Sequence, residues 1–299
     1  MNMKVQSAPG LAVVSPLHLE DEDFLVIARL VREDFGLNLP LSKKDMVISR
    51  LGRRVRDLGL PDFASYVQRL SGRGKAEELR FLRSNLTTNV TRFFREDHHF
   101  TLMRDIAFPG FIAQARAGGR IRLWSAGCSA GQEPYSLALT LLDLAPDAPD
   151  LDILILATDI DPVILNTAAR GSYPQSEMLA IPPPMRAHLD ACDPPSPTEF
   201  TMNRAARALV RFAELNLVAD WPMQGPMDVI FCRNVVIYFD ADIQSTLWCR
   251  FSQSLDIGGY LVIGHSERLI GPANACFERI GNNVYRKVAD LAAAEMTAL

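Results

Sequence analysis

The chain has 299 residues, 48% of them hydrophobic, long enough for two domains and rich enough in apolar side chains to bury a sizeable core. A formal charge of −4 argues against a general nucleic-acid binder, whose phosphate contacts need a surplus of Lys and Arg. Five cysteines, at 128, 192, 232, 249 and 276, are odd in number and fall into no Cys-x-x-Cys spacing. They point to neither a disulfide framework nor a zinc site, and they fit a reducing cytoplasm.

Residues 1–18 read as a flexible tail, whose one short apolar run, Leu11 to Val14, is too brief for a secretory segment. Nothing approaches the run of about 18 apolar residues that a membrane-spanning helix needs, so no membrane insertion is expected. From Asp21 to Leu86 the apolar residues recur at helical spacing: Phe24, Ile27, Val31 and Phe35, then Val47, Leu51, Val55 and Leu58. Gly36 and Gly59 suit helix C-termini, Ser42 and Asp45 make a capping-box-like start, and Pro61 suits the first turn of a third helix. A helical domain over 19–90 follows, then a linker helix over 91–118. His98 and His99 lack a third partner at ligand spacing, so no metal is expected.

From Arg120 the texture changes to short β-rich runs separated by helical segments. The runs are Ile121 to Ser125, Ile153 to Ala157, Val210 to Glu214, Val229 to Phe231 and Tyr260 to Ile263. That alternation predicts a doubly wound α/β sheet over 119–288. Ile243, Leu247, Phe251 and Leu255 predict a helix closed by Gly258 and Gly259. Phe277 to Ile280 and Val284 to Lys287 flank Gly281-Asn282-Asn283, a hairpin that would give the sheet an antiparallel edge. The stretch at about 171–208 carries Pro182-Pro183-Pro184 and Pro194-Pro195-Ser196-Pro197, too many prolines for a crossover helix, and reads as an inserted subdomain. Residues 289–299 form a C-terminal tail.

The first strand runs into a glycine-bearing turn, Ser125 to Ser136, that includes Gly127 and Gly131 and then the acid Glu133. The turn lets backbone approach a ligand at the carboxyl ends of the strands. An acid there repels a pyrophosphate and welcomes an ammonium, which favours the methionine end of S-adenosylmethionine over a dinucleotide. The second strand ends in Ala157-Thr158-Asp159-Ile160-Asp161, with Asp159 placed to accept from ribose hydroxyls. A first-turn acid and a helix N-cap are equally ordinary roles for the same two residues. The fourth strand leads into Phe231 to Phe239, where Asn234 precedes Tyr238 by four residues at the strand tip.

Taken together these segments resemble the CheR family of chemotaxis receptor methyltransferases, from roughly Phe24 to Val288. The resemblance is carried by Thr88 to Glu96 (TNVTRFFRE), the Ser125 to Ser136 turn, Ala157 to Asp161, Asn216-Leu217, Phe231 to Phe239 and Gly264-His265-Ser266-Glu267. It implies a class I S-adenosylmethionine-dependent methyltransferase sheet (Rossmann-like, α/β), an N-terminal helical domain and a small inserted β-subdomain. It further implies a cytoplasmic monomer that esterifies glutamate side chains on the cytoplasmic helices of chemoreceptors, leaving S-adenosylhomocysteine. By position, Asn89, Thr91, Arg95 and Glu133 would hold the amino-acid end of the cofactor, Asp159 the ribose, and Asn216 and Leu217 the adenine, with Gly127 in the cofactor-binding turn. Asn234, Val235 and Tyr238 would line the cleft near the methyl group, with Arg95 and Tyr238 nearest the reacting carboxylate.

The second helix carries Lys43, Lys44, Arg50, Arg53, Arg54 and Arg56 against Asp45 and Asp57, and Lys43, Arg50, Arg53 and Arg54 are the expected receptor-docking residues. An Arg-rich solvated helix face is the ordinary alternative. The insertion's loop, Asp193 to Thr198, lacks the glycines of family members that bind a receptor's C-terminal pentapeptide, so no such tether is expected. Two rival functions remain at this level: an adenine N6-methyltransferase, whose usual Asn-Pro-Pro-Tyr differs from the segment here, and a non-catalytic cofactor-binding scaffold.

Overall fold

Among the described residues four amphipathic helices come first: α1 (Asp21–Phe35), α2 (Lys44–Asp57), α3 (Phe63–Ser71) and α4 (Lys75–Leu86). The computed structural model describes residues 17–72, 74–192, 196–223 and 225–291. Most of both terminal tails, and Asp193 to Pro195 of the loop considered for tether binding, lie outside that range. The apolar stripes read from the sequence meet in one cluster that joins Phe24, Ile27 and Val31 of α1 to Val47, Leu51 and Val55 of α2 and to Phe63, Tyr66 and Leu82. Gly36 closes α1 in the left-handed region (φ 75°) and returns its N–H to the Arg32 carbonyl.

Two expected caps differ. Ser42 lies inside a 3-10 turn, Leu41–Lys43, so the position before α2 falls on Lys43 and no side-chain cap forms. Asp62 caps α3 by accepting from the Ser65 N–H at 2.8 Å, which leaves Pro61 outside the helix.

The linker helix expected over 91–118 begins at His98. It runs as α5 (His98–Leu102), a π-helical segment (Met103–Ala107) and α6 (Phe108–Arg116). Residues 91–97 stay irregular because Phe94 and Glu96 hold positive φ angles that no right-handed helix admits.

The second half alternates β1 (Ile121–Ala126), α7 (Gln132–Leu144), β2 (Ile153–Asp159) and α8 (Pro162–Arg170). There follow β3 (Ser172–Pro174), β4 (Leu189–Ala191), β5 (Glu199–Met202) and α9 (Arg204–Ala208), then β6 (Val210–Glu214) and β7 (Met227–Cys232). The last elements among the described residues are α10 (Ala241–Ser254), β8 (Leu255–Ile263), β9 (Phe277–Gly281) and β10 (Val284–Lys287). Seven strands form one sheet in the order β6-β2-β1-β7-β8-β10-β9. The first five are parallel, and β10 runs antiparallel to both neighbours, giving the antiparallel edge. The stretch at 171–208 holds a separate three-stranded antiparallel sheet, β3-β5-β4.

Leu255 begins β8 instead of ending α10, and Gly258 and Gly259 lie inside that strand. Gly259 explains the placement: a Cβ there would stand 2.9 Å from the Asp256 carbonyl oxygen and 3.0 Å from that of Asp228. This glycine marks a close backbone approach within the sheet.

One sheet face packs on α6, α7 and the insertion, through Phe108, Leu137, Leu141 and Phe200. The other packs on α10, through Trp124, Trp248 and Phe251. The central strands β1 and β7 are buried along nearly their whole length, which accounts for their largely apolar sequence, while β6 at the sheet edge is mostly exposed. Strand order reverses between β1 and β7, and a ligand crevice is expected beyond the carboxyl ends of those two strands.

Candidate active site

The crevice at that reversal is a cleft of about 980 Å³ including its open mouth. Its floor is the β1–α7 turn. Gly127 (φ +80°) and Cys128 both send their N–H to the Thr158 carbonyl at 2.8 Å, folding the turn against the tip of β2. A Cβ on Gly127 would sit 2.4 Å from Cγ2 of Val235, so only glycine fits this backbone and this neighbour.

Two carboxylates face the cleft. Glu133, in the first turn of α7, accepts from Ser125 Oγ at 2.7 Å and from Arg233 Nη1 at 3.2 Å. Burial raises its pKa above the usual carboxylate range, and Arg233 and Ser125 offset that only in part. Asp159, 8% exposed at the tip of β2, accepts the N–H of Ser129 at 2.8 Å and of Asp161 at 3.0 Å. Burial again outweighs those bonds and lifts its pKa. Each carboxylate keeps unused lone pairs on the cleft side, suited to an ammonium and to hydroxyl donors.

The opposite wall comes from the turn after β7. Asn234 adopts φ +60°, and Val236–Tyr238 form a 3-10 turn. Glu267, 3% exposed, braces that wall from the turn after β8: Oε1 accepts the N–H of Val235 (2.9 Å) and Val236 (3.1 Å), and Oε2 that of Gly264 (2.5 Å). A left-handed residue beside a carboxylate that collects three N–H groups fixes where Asn234, Val235 and Tyr238 point.

The rim is the irregular segment 87–97. Asn89 gives its amide to Asp161 (3.3 Å), which also caps α8 and accepts from Ser84 of α4 (2.5 Å). Arg95 Nη1 donates to the Val90 carbonyl at 2.9 Å. Phe35 and Leu37 from the helical domain complete the cleft beside Leu215 and Leu217. Asn216 ties the two halves together by donating to the Asp34 carbonyl at 2.7 Å, and Asn38 N–H donates to the Tyr238 carbonyl at 2.8 Å.

Asn89, Thr91, Arg95, Gly127, Glu133, Asp159, Asn216, Leu217, Asn234, Val235 and Tyr238 thus all line this one cleft. The four expected docking residues do not share one face, and Lys43 lies in the 3-10 turn before α2. Lys43 and Arg53 are exposed. Arg50 turns inward and donates to the carbonyls of Asn85, Leu86 and Thr87, satisfying the C-terminal end of α4. Arg54 pairs with Glu77 and with the fully buried Glu78, which Arg69 and Tyr66 also reach.

Sequence reasoning assigned no role to Arg233 or Glu267, although both stand in quoted motifs. An arginine directly after the apolar run Val229 to Cys232, and an acid three residues after Gly264, were the available signals. Arg233 is 2% exposed on its side chain, lies against the Phe100 and Phe231 rings, and pairs with Glu96 (3.3 Å) as well as Glu133.

The donor set fits S-adenosylmethionine: two acids for its ammonium and ribose, an apolar wall for its base, and a glycine turn for its close approach. The fold and this cleft define an S-adenosylmethionine-dependent methyltransferase. Residues 89–286 match the family described as "CheR methyltransferase, SAM binding domain", and residues 22–87 match "CheR methyltransferase, all-alpha domain". The chain belongs to the CheR methyltransferase family.

Among its relatives is a probable chemotaxis protein methyltransferase of Rhizobium etli, 46% identical over 258 residues, covering 86% of this chain and 96% of that one. The chemotaxis protein methyltransferase of Escherichia coli K12 is 39% identical over 264 residues, covering 88% and 90%. Chemotaxis protein methyltransferase 2 of Pseudomonas aeruginosa is 38% identical over 270 residues, covering 90% and 94%. Among the described residues no helix is long and apolar enough to cross a membrane.

Proposed function

We propose that this protein transfers a methyl group from S-adenosylmethionine to glutamate side-chain carboxylates on the cytoplasmic helices of chemoreceptors, in the cytoplasm, forming methyl esters. The observation that carries the reading is the convergence of Glu133, Asp159, Arg95 and Tyr238 on one cleft at the strand-order reversal, in a chain whose relatives are named for chemotaxis.

The cofactor supplies an electrophilic methyl on a sulfonium. An acceptor glutamate with a pKa near 4.3 is already ionised at neutral pH, so the protein needs no general base. Its task is alignment and exclusion of water, which can supply roughly 7 to 11 kcal/mol. In this reading Glu133 holds the ammonium and Asp159 the ribose. Arg95 spends one donor on Val90 and offers the rest of its fork to the incoming carboxylate, with the Tyr238 hydroxyl as a second donor. Asn89 and Thr91 line the amino-acid end, and Asn216 and Leu217 the base.

Lys43 and Arg53 present the exposed positive charge that steers an acidic receptor helix. Arg50 and Arg54 serve that surface indirectly, by holding α2 against α4.

The test is incubation with methyl-labelled cofactor and receptor-containing membranes, followed by mild base. Label on receptor that leaves as methanol identifies an ester. Label that resists base, or that appears on nucleic acid, overturns the reading.

A further inference from the structure

Arg95 sits between two residues in the left-handed backbone region, Phe94 (φ 50°) and Glu96 (φ 56°). Neither is glycine, and an L side chain enters that region against steric resistance from its own Cβ, so the conformation persists only where surrounding bonds impose it. Those bonds are in place. The Phe94 N–H donates to Oγ of Ser136, a fully buried residue of α7, at 3.0 Å. The Arg95 carbonyl accepts from Nη2 of Arg233. The Glu96 carboxylate meets Nδ1 of His265 at 3.0 Å, Nη2 of Arg233 at 3.3 Å and Nδ1 of His99 at 3.5 Å. One carboxylate therefore ties the segment to the tip of β7 and to the turn after β8.

We propose that Glu96 is a positioning residue for methyl transfer: by fixing its own left-handed backbone and the guanidinium that grips the Arg95 carbonyl, it sets where the Arg95 side chain aims. This rests on the reading of Arg95 as the group facing the acceptor carboxylate. The Arg95 side chain bonds only to the Val90 carbonyl of its own loop among the described residues, so its direction follows the backbone of residues 90–96. Without the carboxylate, residue 96 is released toward the ordinary right-handed or extended regions. The peptide carrying the Arg95 carbonyl then turns, and the side chain swings with it. Burial pushes the Glu96 carboxyl up, but Arg233 and His265 outweigh it and bring the pKa down to about 2, so Glu96→Gln removes a charge present at neutral pH.

The test compares wild type with Glu96→Gln and Ser136→Ala by four measurements: turnover on receptor-containing membranes, calorimetric affinity for S-adenosylhomocysteine, thermal midpoint, and hydrogen–deuterium exchange of amides 90–97. Glu96→Gln is expected to lower kcat by about ten-fold or more while cofactor KM and product affinity stay within about three-fold, because misaimed alignment is felt in the chemical step. Exchange at 90–97 should quicken while the rest of the chain is unchanged. Ser136→Ala, which frees the other side of Arg95 and leaves every charge in place, should give the same split and stands in if the Gln variant fails to fold. Unchanged kcat, or a loss confined to cofactor affinity, overturns the proposal. If wild type places no base-labile methyl on receptors, the functional reading fails instead, and the exchange measurement still decides: unaltered exchange at 90–97 in both variants overturns the hold of Glu96 on the Arg95 loop.

Discussion

Arg233 and Glu133 form an ion pair, Nη1 to Oε2 3.2 Å, with side chains only 2% and 13% exposed. Both residues line the cleft, and the acid assigned to the cofactor's ammonium is anchored by this cation and by Ser125. Its remaining lone pairs face a ligand that brings positive charge.

The first prediction follows from the raised pKa of Glu133, whose largest cause is burial. Cofactor binding requires the ionised form. Affinity for S-adenosylhomocysteine should therefore weaken as pH falls through a value above the ordinary glutamate pKa of about 4.3, sooner than an exposed carboxylate would allow. Glu133→Gln should weaken binding by about ten-fold or more, or roughly 1.4 kcal/mol, and flatten that pH dependence. Calorimetric titrations between about pH 7.5 and pH 5 check both. A flat wild-type profile together with undiminished affinity in the variant removes Glu133 from the ammonium site.

The second prediction separates two neighbours on α2. Arg54 is bound to the fully buried Glu78, so Arg54→Ala strands part of a desolvated carboxylate and should destabilise the helical domain by about 2 to 4 kcal/mol in denaturant unfolding. Arg53 has an 87% exposed side chain and one loose pair with Asp57, so Arg53→Ala should stay within about 0.5 kcal/mol of wild type. Receptor methylation should still drop in Arg53→Ala if the exposed positive charge steers the partner. Equal stability losses in the two variants would contradict the division.

That division was not legible from spacing. Helical periodicity places Arg50, Arg53 and Arg54 near one another, but whether a guanidinium faces water or a neighbouring helix depends on where α4 packs, a tertiary fact. The cleft was more legible: short strands, a glycine turn with a following acid and a polar strand tip are local patterns, and topology gathers them at the reversal. Arg233 and Glu267 were missed for the opposite reason. Each acts through partners far away in sequence, Glu96 and the turn after β7, and a lone charged residue in an apolar run does not announce its partner. Gly258 and Gly259 look like a helix stop, yet both lie inside β8, where Gly259 serves a close approach between strands.

The third prediction concerns acid stability. His99 is fully buried, its Nε2 lies 2.9 Å from the Asn282 carbonyl, and burial followed by the nearby Arg233 lowers its pKa to about 3. The unfolded chain takes up a proton below about pH 6.5 while the folded chain stays neutral to about pH 3, so stability is full above the higher value and is lost as pH falls through that window. The whole window corresponds to at most about 5 kcal/mol. His99→Gln keeps a donor for Asn282 and removes the titration. Thermal midpoints measured from about pH 7 to pH 4 should fall less steeply in the variant than in wild type. Parallel curves would show that other groups govern acid unfolding.

The fourth prediction returns to the turn beneath the cofactor. Gly127→Ala meets two separate penalties: a left-handed φ of +80° that alanine resists, and a Cβ 2.4 Å from Cγ2 of Val235. The single change should reduce product affinity and stability together, by about 1 to 3 kcal/mol in stability. Truncating the neighbour separates the two causes, because Val235→Ala removes the clashing methyl and leaves the backbone strain untouched. The double variant should therefore recover part of the loss, with an interaction energy of about 0.5 kcal/mol or more in the favourable direction. Strict additivity would mean that the turn shifts away from Val235 altogether, and the packing of β1 tip against β7 tip would then not be what shapes the floor of the cleft.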